Sequence, residues 1–348
     1  MSGVQTITSY GRAAGSARVR VFDWLDHTGV EADSYTYLGR ATNSVKALMR
    51  EPLRIPRVEA ELRELVKSVS KKTVLLSRQA SPFSNGRVEE DLLTHAGRSV
   101  YDFDDALMHT PTSSRERIWS KRRVWSRSVA AADIVIAGND YLAAEAAHYS
   151  NNVLVIPSCV EPKTYTQKVE YEIAKDPVAV WLGSPSTEQY LQSIAGPLLS
   201  MNKAKGLRLL VISAGQATLG PLDDMIDRKN WSNLAFQNDL VGADFGIMPL
   251  DDTPWSRGKC AYKLLQYAAA GLPIVGSPVG VNDLVLRQAD GFSASTLRDW
   301  EESIEALINE PAGRRALRGR NGRCAVETNY SFAAWAPVWH EAMGLASA

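Results

Sequence analysis

The chain has 348 residues, 45% of them hydrophobic and 22% charged, so it is long enough to fold as two globular domains with a core each. Its 39 Lys and Arg residues balance its 39 Asp and Glu residues, and this zero net charge excludes a general electrostatic attraction to nucleic acid. The three cysteines are widely spaced, which predicts a protein without a disulfide framework. The sequence shows no signal-peptide pattern and no apolar run of the roughly 18–20 residues that cross a bilayer, so we predict a cytoplasmic protein.

Strand-like runs alternate with amphipathic stretches along the whole chain. The predicted strands of the first half are VQTITS, KKTVLLS, GRSVYDF, AADIVIAG and NVLVIP. Those of the second half are PVAVWLGS, LRLLVISAG, ADFGIMPL and GLPIVGSP. Buried strands that alternate with helices form parallel sheets covered by helices, so the sequence predicts an α/β fold.

A change of pattern near VIPSCVEPKTY divides the chain. Two prolines interrupt the alternation there, and the charged stretch TQKVEYEIAKDP follows. We therefore predict a first domain over residues 1–160, a linker over 161–176 and a second domain over 177–330. Residues 331–348 form a predicted terminal helix, whose aromatic face packs either on the second domain or back on the first.

A predicted helix begins at Lys259 and ends before Gly271. The spacing of Lys259, Lys263 and Gln266 places them on one stripe of this helix. Two lysines without an acidic partner at helical spacing repel each other unless an anion compensates their charge. The helix also starts at the carboxyl end of a strand, where α/β sheets bind ligands. The stripe therefore predicts a diphosphate site, with Gln266 at a ribose hydroxyl. The alternative is a solvated polar face.

A second loop in the same half adds groups that suit phosphate. Gly183, Ser184 and Ser186 follow the strand PVAVWL, and Arg257 lies shortly before the first lysine. Backbone N–H groups, hydroxyls and a guanidinium stabilise the charge of a leaving diphosphate without a metal ion. The alternative for the serines is a plain helix N-cap.

The first half has an acidic loop at the end of a strand. Asp102, Asp104 and Asp105 follow the strand RSVY, and His109 closes the loop. This cluster indicates an acceptor-binding or interdomain loop. The alternatives are a metal-binding D-x-D pair, a phosphatase nucleophile loop similar to DxDGT, and a purely structural turn.

Two arginines stand in the stretch YGRAAGSARVR near the start of the chain. Arg18 and Arg20 follow the run VQTITS, and Gly11 and Gly15 permit a tight loop. The loop either faces a bound substrate or is a flexible segment of the surface. It lacks G-x-G-x-x-G, so the sequence does not support dinucleotide binding.

A basic stretch, SSRERIWSKRRVWSRSVAAAD, contains Trp119 and Trp125 among its arginines and lysines. It matches either a peripheral contact with an anionic membrane or an acidic acceptor, or a solvated basic helix that packs its tryptophans inward. No pattern in the sequence indicates an oligomeric state.

Several of these stretches together resemble glycosyltransferase family 4. YKLLQYAAAGLPIV is similar to the family's (K)LLEYMAAGLPVV, AVWLGSPSTEQYL to IGWIGSP-T-YL, and VIPSCVEPKTY to VIPNGVD. In the first half, SARVRVFDWL resembles SSRYRVYQYL, and SVYDFDDALMH resembles VVYDFDDALW. These stretches span most of the chain in the family's order, which makes the resemblance specific.

The resemblance implies the GT-B architecture, two Rossmann-like domains whose parallel sheets face each other across a cleft. It implies transfer of a sugar from a nucleotide-diphosphate sugar to a hydroxyl of a glycan, lipid-linked or small-molecule acceptor, with retention of configuration and with neither cofactor nor metal. Lys259, Lys263 and Asp105 are then the expected catalytic residues. The expected donor contacts are Gly183, Ser184, Ser186, Arg257, Lys259, Lys263 and Gln266. The expected acceptor contacts are Arg18, Arg20, Asp102, Asp104 and His109.

The sequence departs from the family at two positions. Gln266 stands where many members have a glutamate, and its amide can still hydrogen-bond a ribose. Gly258 stands where many members have another glutamate beside the sugar, a role left to Asp251 or Asp252. Two alternatives therefore stay open: a phosphate-ester hydrolase that uses the DFDD loop, and a nucleotide-sugar or glycan binding protein without catalysis.

Overall fold

The computed structural model describes residues 3–110, 114–173, 175–232 and 236–345. The chain divides into two units. The first unit comprises Met1–Ser158, Arg257–Cys260 and Trp335–Ala348. The second unit comprises Cys159–Ser256 and Ala261–Ala334. Two short segments from the second half of the chain thus belong to the first unit.

A parallel sheet of six strands forms the centre of the first unit, in the order β2-β1-β3-β4-β5-β6. The strands are β1 (Val4–Thr8), β2 (Ala32–Thr36), β3 (Thr73–Ser77), β4 (Arg98–Phe103), β5 (Ile134–Ala137) and β6 (Val153–Val155). Every residue of β1, β3 and β5 is buried, as expected for parallel strands with both faces covered. The edge strand β2 is half exposed.

The helices in this part of the chain connect the parallel strands. They are α1 (Gly15–Ala17), α2 (Asp23–Thr28), α3 (Val45–Leu48), α4 (Ile55–Ser68), α5 (Arg87–His95), α6 (Ser114–Ile118), α7 (Lys121–Ala131) and α8 (Asp140–Ala146). A π-helical turn, Arg18–Phe22, joins α1 to α2, so the stretch predicted as a loop around Arg18 and Arg20 is helical instead. The side chains of Val19, Val21 and Phe22 are buried, so this helical turn packs into the interior of the first unit.

The second unit has its own parallel sheet of six strands, in the order β12-β11-β10-β7-β8-β9. The strands are β7 (Val178–Leu182), β8 (Arg208–Ile212), β9 (Ile226–Lys229), β10 (Phe245–Met248), β11 (Ile274–Gly276) and β12 (Phe292–Ser293). Along β7, Val180 and Leu182 join one hydrophobic core, while Ala179 and Trp181 join another. Alternate side chains of a strand point to opposite faces, so this sheet is buried on both sides.

The helices of the second half continue the same alternation. They are α9 (Gln189–Gln192), α10 (Ala195–Lys205), α11 (Phe236–Leu240), α12 (Pro254–Arg257), α13 (Tyr262–Ala269), α14 (Asn282–Gln288), α15 (Leu297–Asn309), α16 (Ala312–Asn329) and α17 (Phe332–Met343). Within the described residues, no helix is long and apolar enough to span a bilayer. The predicted α/β fold class, with two Rossmann-like units built on parallel sheets, is confirmed.

The lysine helix begins later than its periodicity predicts. Ala261 has a φ of 52°, in the left-handed region, and α13 starts only after it. Lys259 therefore lies before the helix, and the predicted stripe of Lys259 with Lys263 and Gln266 on one helix is wrong. The predicted stop is confirmed, because the helix ends at Ala269 and Gly271 follows with a φ of 75°.

The terminal helix packs by its aromatic face within the first unit. The ring of Trp339 stacks on that of Trp24, with 5.3 Å between the ring centroids. The guanidinium of Arg98 donates hydrogen bonds to the backbone carbonyls of Glu341 and Ala342, at 3.0 Å and 2.9 Å. These carbonyls belong to the last turn of the helix, where four acceptors lack an intrahelical donor, so Arg98 caps the helix.

Candidate functional site

The strand order of the second sheet reverses next to β7, which has β8 on one side and β10 on the other. Chain segments that leave the carboxyl ends of such neighbouring strands diverge and open a crevice, the usual ligand site of α/β sheets. The segment after β7 begins with Gly183, and the segment after β10 leads into the loop of Asp251 and Asp252. The predicted donor loop thus starts at this point of the sheet.

Lys263, in the first turn of α13, lies against Gly183. A Cβ atom added to Gly183 would lie 2.8 Å from Cε of Lys263 and 2.5 Å from the ring of Trp181. The Lys263 Nζ atom lies over that ring, 5.4 Å from its centroid, in a cation–π contact. Only glycine at position 183 leaves room for this arrangement, so the structure brings together two of the predicted donor residues.

Hydroxyl groups surround the start of the same loop. The side-chain oxygens of Ser184 and Ser186 are exposed and lie 3.1 Å apart, and Thr187 Oγ1 lies 3.4 Å from that of Ser184. Hydroxyls and an ammonium group are suitable donors to phosphate oxygens. This edge of the second sheet can therefore hold an anion.

Gln266 occupies a deeper position than its predicted ribose contact suggests. Its side chain is only 4% exposed, and its amide Nε2 donates to the hydroxyl of Tyr165 at 3.3 Å. Tyr165 itself belongs to a hydrophobic core of the second unit. A core residue therefore fixes the orientation of the Gln266 amide, which lies one helix turn after Lys263.

A buried ion pair that the sequence analysis missed supports the serine loop. Glu188 is 3% exposed, directly follows Thr187, and accepts hydrogen bonds from Ser213 at 2.5 Å and from Arg228 at 3.1 Å. The Arg228 guanidinium also donates to the carbonyls of Gly215 and Ala217. No local pattern announces this pair, because Arg228 lies 40 residues away, on an edge strand.

In the first unit, the predicted acceptor residues Arg20 and Asp102 bind each other. The Arg20 guanidinium donates to the Asp102 carboxylate through Nη2 at 2.6 Å and through Nε at 3.1 Å, and donates to the carbonyl of Ile156 at 2.9 Å. Arg20 is 1% exposed and Asp102 is 2% exposed. Burial alone would lower the pKa of Arg20, but the charge of Asp102 outweighs it and keeps that pKa above its ordinary value.

The other two aspartates of this loop lie around Arg78, a residue the sequence analysis did not single out. Its guanidinium Nη1 lies 2.9 Å from Asp105 Oδ2 and 3.5 Å from Asp104 Oδ1. Arg78 directly follows β3 and has a φ of 64°, which is uncommon for a side chain of its size. Ser16 donates to the same Asp104 oxygen at 2.8 Å.

Lys259 completes this charged cluster, because its Nζ donates to Asp105 Oδ1 at 2.6 Å. Burial alone would raise the pKa of Asp105, but the charges of Lys259 and Arg78 outweigh it and hold the pKa below its ordinary value. Asp105 is therefore an ionised carboxylate held between two cations. Its side chain remains 17% exposed.

The segment Arg257–Cys260 is held tightly within the first unit. A Cβ atom added to Gly258 would lie 2.6 Å from the Cβ of Ala106 and 2.8 Å from its backbone nitrogen. The Cys260 thiol donates to the carbonyl of Asp104 at 3.3 Å, and the amide of Asn139 donates to the carbonyl of Lys259 at 3.1 Å. A glutamate cannot be accommodated at position 258 without moving the backbone at Ala106.

The predicted donor residues are divided between the two units. Lys263, Gln266 and the loop from Gly183 to Ser186 belong to the second unit, whereas Arg257 and Lys259 belong to the first. Asp251 and Asp252, the suggested replacements for the missing glutamate, are exposed residues of the second unit.

The remaining predicted residues, His109 and Arg18, have other partners within the first unit. His109 is exposed, and its Nε2 lies 3.0 Å from the hydroxyl of Tyr141. Arg18 lies 3.9 Å from Asp23, a carboxyl whose burial raises its pKa to about 6. Among the described residues, no group of three or more His, Cys, Asp or Glu side chains could hold a metal ion.

The fold is shared with solved glycosyltransferases of the GT-B architecture. The chain is similar to sucrose-phosphate synthase from Thermosynechococcus elongatus, with a TM-score of 0.72 and 13% identity over 98% of either chain. It is similar to HepE of Anabaena, solved with UDP and glucose, with a TM-score of 0.70 and 11% identity over 99% of this chain and 100% of that one. WaaG, a glycosyltransferase involved in lipopolysaccharide biosynthesis, gives a TM-score of 0.68 and 12% identity over 98% of this chain and 100% of that one. No family model and no curated protein matches the sequence.

Proposed function

We propose that the protein is a glycosyltransferase that moves a sugar from a nucleoside-diphosphate sugar to an acceptor hydroxyl. The observation that carries this proposal is Lys263 in the first turn of α13, held over Gly183 and Trp181 where the order of the second sheet reverses. The similar structures support it, since one of them was solved with UDP and glucose. The finer assignments are proposals too: family 4 membership, retention of configuration, glycan synthesis, a cytoplasmic location and independence of metals and cofactors.

In the second unit, we assign the diphosphate of the donor to Lys263 and the exposed hydroxyls of Ser184 and Ser186. Negative charge grows on the diphosphate as the bond to the sugar breaks, and an ammonium group beside a helix N-terminus stabilises that charge. Gln266 lies one turn farther along the helix. We assign the donor's ribose to the small part of its side chain that is exposed, and the hydrogen bond to Tyr165 holds the amide in place.

In the first unit, we assign the acceptor to the cluster around Asp105. Asp105 is ionised and 17% exposed, and it lies beside Lys259 and Arg78, so it can orient an acceptor hydroxyl. Asp104 is held by Arg78 and Ser16, and His109 lies farther along the same loop. Arg20 and Asp102 are buried and bond each other, so we assign them to holding this loop in place and not to direct contact with the acceptor.

The hydrolase alternative finds no support in this geometry. It requires Asp102 or Asp104 to attack a phosphate. Arg20 donates to both carboxylate oxygens of the buried Asp102, and Ser16 donates to Asp104. Asp102 is buried beside Arg20, where a phosphate does not reach it, and the Oδ1 atom of Asp104 is already held by Ser16 and Arg78.

The test is nucleotide-sugar turnover in the wild type, in Lys263→Ala and in Lys203→Ala, with a panel of donors and neutral sugar acceptors. Lys203 is an exposed lysine of α10 and serves as the matched control. We expect acceptor-dependent release of a nucleoside diphosphate from the wild type and the control, and a loss of at least about tenfold in Lys263→Ala, the cost of one charge-assisted hydrogen bond. Donor binding without turnover would identify a binding protein instead, and equal turnover in all three proteins would remove Lys263 from the site.

A further inference from the structure

We infer that a cavity of the first unit binds a single uncharged sugar ring, which makes it the specificity site for the acceptor. This inference rests on the proposed function, and it adds the chemical class of the acceptor. The cavity has a volume of about 250 Å³. It opens beside the carboxyl ends of the neighbouring strands β1 and β3. The strand order of the first sheet reverses between these two strands, because β2 lies beyond β1 and β4 lies beyond β3.

The wall of the cavity consists mainly of hydroxyl and amide groups. Its lining includes Tyr10, Thr42, Asn43, Gln79, Ser81 and Thr110. These groups donate and accept hydrogen bonds without carrying charge, which is what a ring bearing several hydroxyls requires of a site. The proposed transfer chemistry needs an acceptor of this class, since its nucleophile is a hydroxyl.

Several of these polar groups are held in place by the surrounding fold. Asn43 is 5% exposed, and its amide donates to the carbonyl of Ser9 at 2.6 Å. Ser81 is 1% exposed, and its hydroxyl donates to Glu59 at 2.5 Å. The Gln79 amide donates to the carbonyl of Ser81 at 3.2 Å. Pre-oriented groups of this kind lower the entropic cost of binding a small polar ligand.

One side of the cavity is aromatic. Trp119 is half-buried, and its ring packs edge-on against Phe83, with 5.2 Å between the centroids. Phe83 in turn packs on Tyr37, in a hydrophobic cluster of the first unit. An indole held at a polar cavity gives the apolar C–H face of a sugar ring a surface to pack on, while the ring hydroxyls turn to the amides and serines.

The charge and the size of the cavity select the ligand. The charged residues that line it are Glu116 and Lys121, one of either sign, so the site has no net charge to attract a phosphate or a carboxylate. Its volume is below the roughly 300–1,000 Å³ of sites for drug-sized ligands, so it suits one ring rather than an extended chain. An uncharged hexose or its glycoside matches both properties.

The test is ligand-observed NMR and calorimetry with methyl glycosides of neutral hexoses, beside methyl glucuronide and glucose 6-phosphate as anionic counterparts. The proteins are the wild type, Trp119→Ala, Gln79→Ala and the control Ile118→Ala, which truncates an exposed side chain adjacent to Trp119. Thermal melting establishes that each variant is folded. We expect at least one neutral glycoside to bind more tightly than either anion. Its affinity should fall at least tenfold in Trp119→Ala and Gln79→Ala and stay unchanged in Ile118→Ala.

Two results would overturn the inference: no neutral glycoside binds, or binding is the same in Trp119→Ala as in the wild type. Titration of the same variants with nucleoside diphosphates separates this inference from the proposed function. Diphosphate binding and turnover without Trp119-dependent glycoside binding would reject the cavity alone. Trp119-dependent glycoside binding without diphosphate binding or turnover would reject glycosyl transfer and leave the cavity as a sugar site.

Discussion

The two sheets share one architecture, but charge is arranged differently at their carboxyl edges. In the first unit each aspartate of the acidic loop lies beside a cation: Asp102 with Arg20, Asp104 with Arg78, and Asp105 with Lys259. In the second unit the segment after β7 has exposed hydroxyls, and Lys263 lies over the ring of Trp181. The first edge uses charge to hold its own loops, whereas the second presents an amine and hydroxyls suited to a ligand anion.

Burial explains the tightest of these ion pairs, that of Arg20 with Asp102. A charge removed from water costs several kcal/mol unless a partner compensates it, so the nearly inaccessible Arg20 and Asp102 require each other. Lys263 is only half-buried, and its position depends on packing against Gly183. Substitutions of Arg20 or Asp102 should therefore affect stability first, and substitutions at Gly183 and Lys263 should affect binding first.

The largest expected effect follows from removing one partner of the buried pair. Asp102→Ala leaves the Arg20 guanidinium charged inside the first unit and should cost about 3–5 kcal/mol of unfolding free energy in urea. Asp26→Ala is the matched control, because Asp26 pairs with Arg12 in a bridge whose side chains are more than half exposed. That variant should lose less than about 1 kcal/mol. Similar losses in both variants would contradict the structural role of the buried pair.

A smaller loss should follow from adding one methyl group at Gly258. In Gly258→Ala the new Cβ would meet Ala106 at 2.6 Å, so the backbone has to shift, at about 1–3 kcal/mol. Gly313→Ala provides the control, since a Cβ there meets no atom within 4 Å. Its unfolding free energy should stay the same or rise by up to about 1 kcal/mol. Should Gly258→Ala be as stable as the control, the tight contact with Ala106 would be disproved.

The smallest effect concerns Asp23, a carboxyl whose neighbouring cation does not offset its burial. Burial has the largest effect and raises its pKa, Arg18 lowers it, Asp26 raises it and Arg12 lowers it, so that the pKa is about 6 instead of 3.8. The folded state thus takes up this proton more readily than the unfolded state, and the contribution of Asp23 to stability falls as pH rises from about 4 to about 6.

Asp23→Asn removes this titration. Relative to the wild type, the variant should gain on the order of 1 kcal/mol between pH 4 and pH 7, less than the full shift would give because the side chain is 27% exposed. Urea unfolding at both pH values measures the difference. A stability difference that does not change with pH would show that Asp23 titrates normally.

The central strands could be predicted from the sequence because both of their faces are buried. VLLS in β3 and VAVWL in β7 are continuous apolar runs, and their positions are confirmed. The edge strands β2, β9 and β12 were not predicted, and their sequences are ADSYT, IDRK and FS. These three edge strands are partly exposed and have no apolar run, whereas the edge strand β6 was predicted because its sequence VLV is apolar.

The site was less predictable, because its contacts join distant parts of the chain. The spacing of Lys263 and Gln266 correctly indicated a helix. No sequence pattern indicated the left-handed conformation of Ala261, because of which the helix begins after Lys259. Helical periodicity assigned Lys259 to a stripe with Lys263, whereas its partner is Asp105, 154 residues earlier. Of the two alternatives for the basic stretch, inward packing of the tryptophans is observed for Trp125, which is 1% exposed, whereas Trp119 is half-buried.

The most direct test of the account is a calorimetric titration of Gly183→Ala and Gly196→Ala with the nucleoside diphosphate that the wild type binds best. Both variants add one methyl group and change no charge, but only at position 183 would the Cβ meet Lys263 and Trp181, while position 196 is open. We expect affinity at least about tenfold weaker in Gly183→Ala, since Lys263 is displaced, and unchanged affinity in Gly196→Ala. Equal affinities in the two variants would contradict the claim that Lys263, held over Gly183, forms the diphosphate site.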